Sequence, residues 1–115
     1  MTVAIEVASL LMDIELLLRN SGQWQKDSPS AKALASVEPF CIDTLTFVQW
    51  LQFIFLPKMR LLLEQQQTLP VRCAIAPMAA EYFNKININA DELLSVLESL
   101  DQLLSAAGEQ AVPKL

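Results

Sequence analysis

At 115 residues the chain is long enough for one domain around one core, and too short for a catalytic domain joined to a separate recognition domain. Hydrophobic residues make up 53% and charged ones 18%, below the roughly 25% typical of globular proteins, which argues against disorder and leaves an apolar surplus that needs a home. Thirteen acids against eight bases give a formal charge of -5, the bases are dispersed, and the stretch from Asp91 to Glu109 holds five acids and no base, so autonomous binding to nucleic acid or an anionic membrane is not expected.

The first predicted helix covers residues 3–20, with Thr2 as its cap and the "NSG" of Asn20-Ser21-Gly22 as its end. Val7, Leu10, Leu11, Ile14, Leu17 and Leu18 recur at helical spacing and form its core stripe. A polar, proline-bearing connection follows, in which Ser28 before Pro29 starts a short helix over residues 29–36. Connections of this length are seldom structureless in a compact domain, so Trp24, Leu34 and Phe40 are expected to pin it over the helices.

The second principal helix is predicted over residues 47–66, because Thr46 followed three residues later by Gln49 has the pattern of a capping box. Pro57 lies inside it, lacks an N–H and crowds the carbonyl of Phe53, so a kink or a break into two helices is expected there. "APMAAEYF" reads as a short helix over residues 77–83, starting at Pro77 and broken by Asn84 and Asn87. The last helix, residues 90–107, is capped by Asn89 with Glu92 completing the box; Leu93, Val96, Leu97, Leu100, Leu103 and Leu104 form its stripe and Gly108 stops it. No strand pattern competes, so the predicted fold is all-α: a small helical bundle in one domain spanning residues 1–115.

The chemistry available to such a bundle is narrow. Histidine is absent, which removes the commonest general base and metal ligand. Cys41 and Cys73 have no motif spacing and read as buried free thiols, so no catalytic residue, metal site or cofactor is expected. The N-terminal segment has no positive n-region and carries Glu6, Asp13 and Glu15, unlike a signal peptide. The uncharged run from Thr44 to Pro57 is too short to span a bilayer, and the expectation is a cytoplasmic protein.

Two helices carry more apolar surface than one core face needs. On a wheel at about 100° per residue, Phe47, Trp50, Leu51, Ile54, Phe55, Leu61 and Leu62 fill one arc of the second helix, yet Phe53, Leu56 and Leu63 sit opposite. Ile5, Met12 and Leu16 do the same on the first helix. Either the second helix is central and covered on both sides, or these faces meet a protein partner or a second copy of the chain. Trp24, in a polar loop, and the adjacent bases Lys58 and Arg60 complete the candidate contact set; Trp50 reads as a core anchor whose indole N–H needs an acceptor, and Asp43 as a carboxylate bonding backbone N–H groups at the entrance of the second helix.

Pro39-Phe40, Asp43-Thr44, Trp50-Leu51-Gln52, Pro57-Lys58-Met59, Leu69-Pro70 and Ala76-Pro77, in this order and spacing, resemble the YqcC-like family of small bacterial proteins. The resemblance covers nearly the whole chain and is most specific from Trp50 to Met59. Family members often carry arginine at the place of Lys58 and an aromatic at that of Cys41, so a role needing a forked guanidinium does not transfer. The resemblance implies an all-helical fold and a link to tRNA pseudouridine synthase C, which isomerises a uridine in tRNA. Such a synthase needs an active-site aspartate in a much larger mixed α/β fold with a basic cleft, so the implied role is a non-catalytic accessory or adaptor of an RNA-modifying enzyme. The alternative is a small enzyme or RNA-binding subunit acting directly on tRNA.

Overall fold

A computed structural model describes residues 3–69 and 74–111; Thr2 as a cap, Arg72, Cys73 and Lys114 lie outside the described residues. Helix α1 is Val3–Asn20, α2 is Ala31–Leu34, α3 is Phe47–Trp50, α4 is Leu56–Glu64, α5 is Ile75–Lys85 and α6 is Asp91–Ala111. A 3-10 turn, Pro39–Cys41, precedes α3, and a π-helical turn, Leu51–Phe55, joins α3 to α4. The fold is all-α, and among the described residues there is no strand.

Helix α1 packs along α6, and α5 packs on the other flank of α6, while the α3–α4 unit closes the bundle against α1 and α5. The core is one cluster in which Val7, Leu11, Ile14 and Leu18 of α1 meet Leu93, Leu97, Leu100 and Leu104 of α6. Both sets step by three or four residues, which is what keeps a row of side chains on one face of a helix. Leu10, Leu17, Val96 and Leu103 flank the two rows and are half-buried.

The helix ends follow local chemistry. Thr46 Oγ1 accepts from the Gln49 N–H at 3.1 Å and Gln49 Oε1 accepts from the Thr46 N–H at 2.8 Å, so the predicted capping box is complete. Gly22, with φ 74°, ends α1: its N–H bonds Arg19 O at 3.2 Å, and the Gln23 N–H bonds Leu18 O at 2.9 Å. Gln66 and Asn87, at φ 55° and 57°, end α4 and α5 by the same paired pattern without the help of glycine. Helix α4 therefore stops at Glu64, two residues before the expected end.

Four boundary expectations need correction. Ser30, not Ser28, caps α2: its backbone is extended at φ -62° and ψ 154°, its Oγ accepts from the Ala33 N–H at 3.1 Å, and the helix is one turn long. Helix α5 starts at Ile75, before Pro77, and runs past Asn84. Asn89 Oδ1 accepts from the Asp91 N–H at 3.1 Å, but no bond from Glu92 closes a box among the described residues. Gly108 does not end α6, which continues to Ala111; a glycine costs a helix about 1 kcal/mol and stops it only where the next bonds turn away.

Pro57 has a specific structural consequence. The helix neither breaks nor stays regular: the Leu56 N–H reaches back five residues to Leu51 O, and the wider turn moves the preceding carbonyls away from the proline ring. The same turn rewrites the buried face. Four residues advance an ideal α-helix by about 40° beyond a full circle, and the wider turn removes much of that drift. The buried residues are consequently Phe47 and Val48, Leu51 and Gln52, Phe55 and Leu56, then Met59, a spacing of four. The regular wheel misplaces Leu61, which is exposed, and Ile54, which is half-buried.

Candidate interaction surface

Among the described residues no His/Cys/Asp/Glu cluster could hold a metal ion, and no helix is long and apolar enough to cross a membrane. Leu56, expected on a contact face, is 0% exposed and belongs to the core, which corrects that assignment. Phe53 is half-buried, and Leu63 is half-buried against the core. Ile5, Met12 and Leu16 are different: they are 57%, 68% and 56% exposed, opposite the α1 core row. The second apolar face is thus exposed on α1 and reduced on the α3–α4 unit, where Leu56 turns inside and Phe53 and Leu63 are half-buried.

The polar candidates are mostly spoken for. Arg60 donates to Glu15 Oε1 at 2.6 Å and Arg19 donates to Glu15 Oε2 at 2.8 Å, so one carboxylate ties α1 to α4. These bonds hold the Glu15 carboxyl below its ordinary value of 4.5, Arg19 contributing most and Arg60 next, against a smaller upward push from burial. Lys58 is exposed and has no ion-pair partner among the described residues, whereas Arg60 is engaged with Glu15. Trp24 is half-buried against the core with the Arg19 guanidinium 4.5 Å over its ring, a cation–π contact that holds the loop to α1.

Asp43 does not bond backbone N–H groups at the α3 entrance: its Oδ1 accepts from Ser36 Oγ at 2.5 Å, while Thr44 Oγ1 donates to Ala33 O at 2.7 Å. Both contacts fasten α2 to the turn that follows it. Trp50 is half-buried in an aromatic cluster, 4.7 Å from Phe40 and 5.3 Å from Phe55 between ring centroids. Phe40 and Leu34 were expected to pin the connection; Phe40 packs on the core, and Leu34 is half-buried outside it. Cys41 is a buried free thiol.

Three features escape sequence reasoning. Gln52, the buried polar residue, accepts from the Gln25 N–H at 2.8 Å and donates to Gln25 O at 2.6 Å, a two-point clasp from the helix to the long connection. Asp101 of α6 accepts from the Ile75 and Ala76 N–H groups at 3.1 and 2.9 Å, capping α5 from another helix. A sequence signal existed for the second: nothing polar precedes Ile75 to cap it locally, so its orphan N–H groups needed a distant acceptor. Finally, Val37 and Ile42 are 97% and 65% exposed beside Phe40 and Cys41, whose φ values of 57° and 49° place two non-glycine residues in the left-handed region. Ile42 edges a small apolar cleft floored by Phe47, Met78 and Tyr82.

Clefts follow one another along the seam between α1 and α6. One cleft is lined by Ile5 and Leu10 facing Ser99 and Leu103, and the next by Asp13 and Leu17 facing Glu92 and Val96, so the helices run antiparallel. A third cleft continues past Leu17 to Ile88 and Asp91.

Comparison with known proteins gives a consistent picture. A family model described as tRNA pseudouridine synthase C (DUF446) matches residues 6–103. An uncharacterised protein of Haemophilus influenzae is 37% identical over 93 residues, covering 81% of this chain and 87% of its own. The uncharacterised protein YqcC of Escherichia coli is 33% identical over 105 residues, covering 91% of this chain and 96% of its own. The solution NMR structure of E. coli YqcC superposes with a TM-score of 0.74 at 32% identity, over 100% of this chain and 96% of that one. A protein of Pectobacterium carotovorum named tRNA pseudouridine synthase C is 45% identical over 65 residues, which is 56% of this chain but 17% of that protein.

Proposed function

The chain belongs to the YqcC-like family, and from that membership we propose that it is a non-catalytic helical accessory protein that docks on a tRNA pseudouridine synthase in the cytoplasm. One observation carries the reading. In the H. influenzae and E. coli relatives the matched stretch is 87% and 96% of the protein, whereas in the Pectobacterium relative it is 17% of a longer polypeptide that bears the synthase's name. A stretch matching 56% of this chain thus occurs within a longer chain so named, while the H. influenzae and E. coli relatives consist almost wholly of the matched region. Contacts made at high effective concentration inside one polypeptide must, in the free form, be carried by surface complementarity between two.

The charge distribution supports a protein partner over direct RNA binding. Of the bases in the described residues, Arg19, Arg60 and Lys85 are already paired with Glu15 and Glu81, and Lys26, Lys32 and Lys58 are spread along the chain. A backbone-tracking surface needs several unpaired bases side by side. Catalysis finds no histidine, and Asp43 is engaged with Ser36. The test is affinity purification of a tagged chain followed by mass spectrometry. A tRNA pseudouridine synthase among the retained proteins is the expected result; tight binding of tRNA by the purified chain alone at physiological salt would replace the accessory reading with a direct one.

A further inference from the structure

We propose that the α1–α6 seam is a docking groove for a basic amphipathic helix of the partner protein, a proposal that rests on the accessory reading above. The groove has a built cross-section. Its floor is apolar and half-buried, formed by Leu10 and Leu17 of α1 and Val96 and Leu103 of α6. Ser9, Ser95 and Ser99 line its sides with side chains small enough for a helix backbone to approach. The exposed Ile5 and Leu16 stand at its edge and extend the apolar surface onto the outer face of α1. From Ile5 to Leu17, at about 1.5 Å per residue, the depression runs about 18 Å, room for about three turns of a docked helix.

Charge identifies the occupant. Glu6, Asp13, Asp91 and Glu92 rim the seam, no lysine or arginine lines it, and none of these acids has an ion-pair partner among the described residues. The other clefts carry less uncompensated charge: at the Ile42 cleft Glu81 is paired with Lys85, and at the cleft between α5 and α6 Asp101 is committed to capping, which leaves Glu98 as its one acid without an ion pair among the described residues. An apolar trough with an uncompensated acidic rim matches a helix with a leucine-type face flanked by lysine or arginine. A second copy of this chain fits poorly, since it carries -5 and would set acid against acid. An enzyme that grips tRNA carries the basic residues such a rim would recruit.

The experiment is calorimetric titration of the full chain against the tRNA pseudouridine synthase of the same genome, at about 50 and about 300 mM salt. Wild type should bind, and more weakly at high salt. The double reversal Asp13→Lys with Glu92→Lys should weaken binding by about tenfold or more at low salt with helical content unchanged, while Ile42→Asp, at the other cleft, should bind as wild type. Should the reversal unfold, Asp13→Asn with Glu92→Gln is the gentler variant and should weaken binding in the same direction. A folded rim variant that binds like wild type, or loss of binding in Ile42→Asp alone, overturns the groove and leaves the accessory reading standing. Failure of wild type to bind at either salt overturns the accessory reading, and the groove with it.

Discussion

Replacing Gln52 by methionine tests whether the most family-specific segment of the sequence serves the fold or a partner. Gln52 is 6% exposed, and its amide makes bonds of 2.8 and 2.6 Å to the two backbone groups of Gln25. Methionine keeps the unbranched shape and removes both bonds, each with a net contribution of about 1 kcal/mol, so the domain should lose about 2 kcal/mol. For a domain of this size that corresponds to a fall in thermal midpoint of about 8–10 °C. Gln25→Ala is the control: the clasp uses only the Gln25 backbone, and its side chain makes one exposed contact, with Gln49 at 3.3 Å, so the loss should stay near 0.5 kcal/mol. Urea titrations followed by tryptophan fluorescence give both numbers, with Trp24 adjoining the clasp. A change under about 0.5 kcal/mol for Gln52→Met, or equal effects from the two variants, would refute the reasoning.

Leu56→Asp should leave the chain largely unfolded by circular dichroism, because a buried unpaired carboxylate costs several kcal/mol against a total of about 5–15, whereas Leu16→Asp should shift the midpoint by no more than about 2 °C. Asp101→Ala should cost about 2 kcal/mol by removing the acceptor of two α5 N–H groups, and amide exchange of Ile75 and Ala76 should rise selectively. Glu15 has a folded pKa below its unfolded value, so its contribution is present above pH about 4.5 and is lost as pH falls through the lower folded value; Glu15→Gln should therefore flatten that part of the acid limb in midpoint-versus-pH scans and leave the neutral region parallel.

Much of the fold is legible because stripes and caps are local signals. The α1 and α6 rows, the Thr46–Gln49 box and the Gly22 stop depend on residues within four positions of one another, and the structure reproduces them. What escapes is what depends on distant or irregular geometry. A wheel assumes one angle per residue, and the π turn ahead of Pro57 breaks that assumption, moving Leu56 from the outer face to the core. The Gln52 clasp and the Asp101 cap join residues 27 and 25 or more positions apart; the uncapped start of α5 signals that an acceptor is needed, but no pattern along the chain identifies which residue supplies it. On the surface, periodicity marks Ile5 and Leu16 as a second apolar face of α1, and they are exposed, but the clefts beside them need α6, whose acids read from sequence only as a charged stretch.

Sedimentation velocity of the purified chain mixed with the tRNA pseudouridine synthase of the same genome, without RNA and then with tRNA, tests the accessory role most directly. A faster-sedimenting complex of the two proteins in the absence of RNA, with the chain alone leaving tRNA unbound at physiological salt, is the predicted result. No complex between the proteins, together with a salt-sensitive complex of the chain and tRNA, would contradict it.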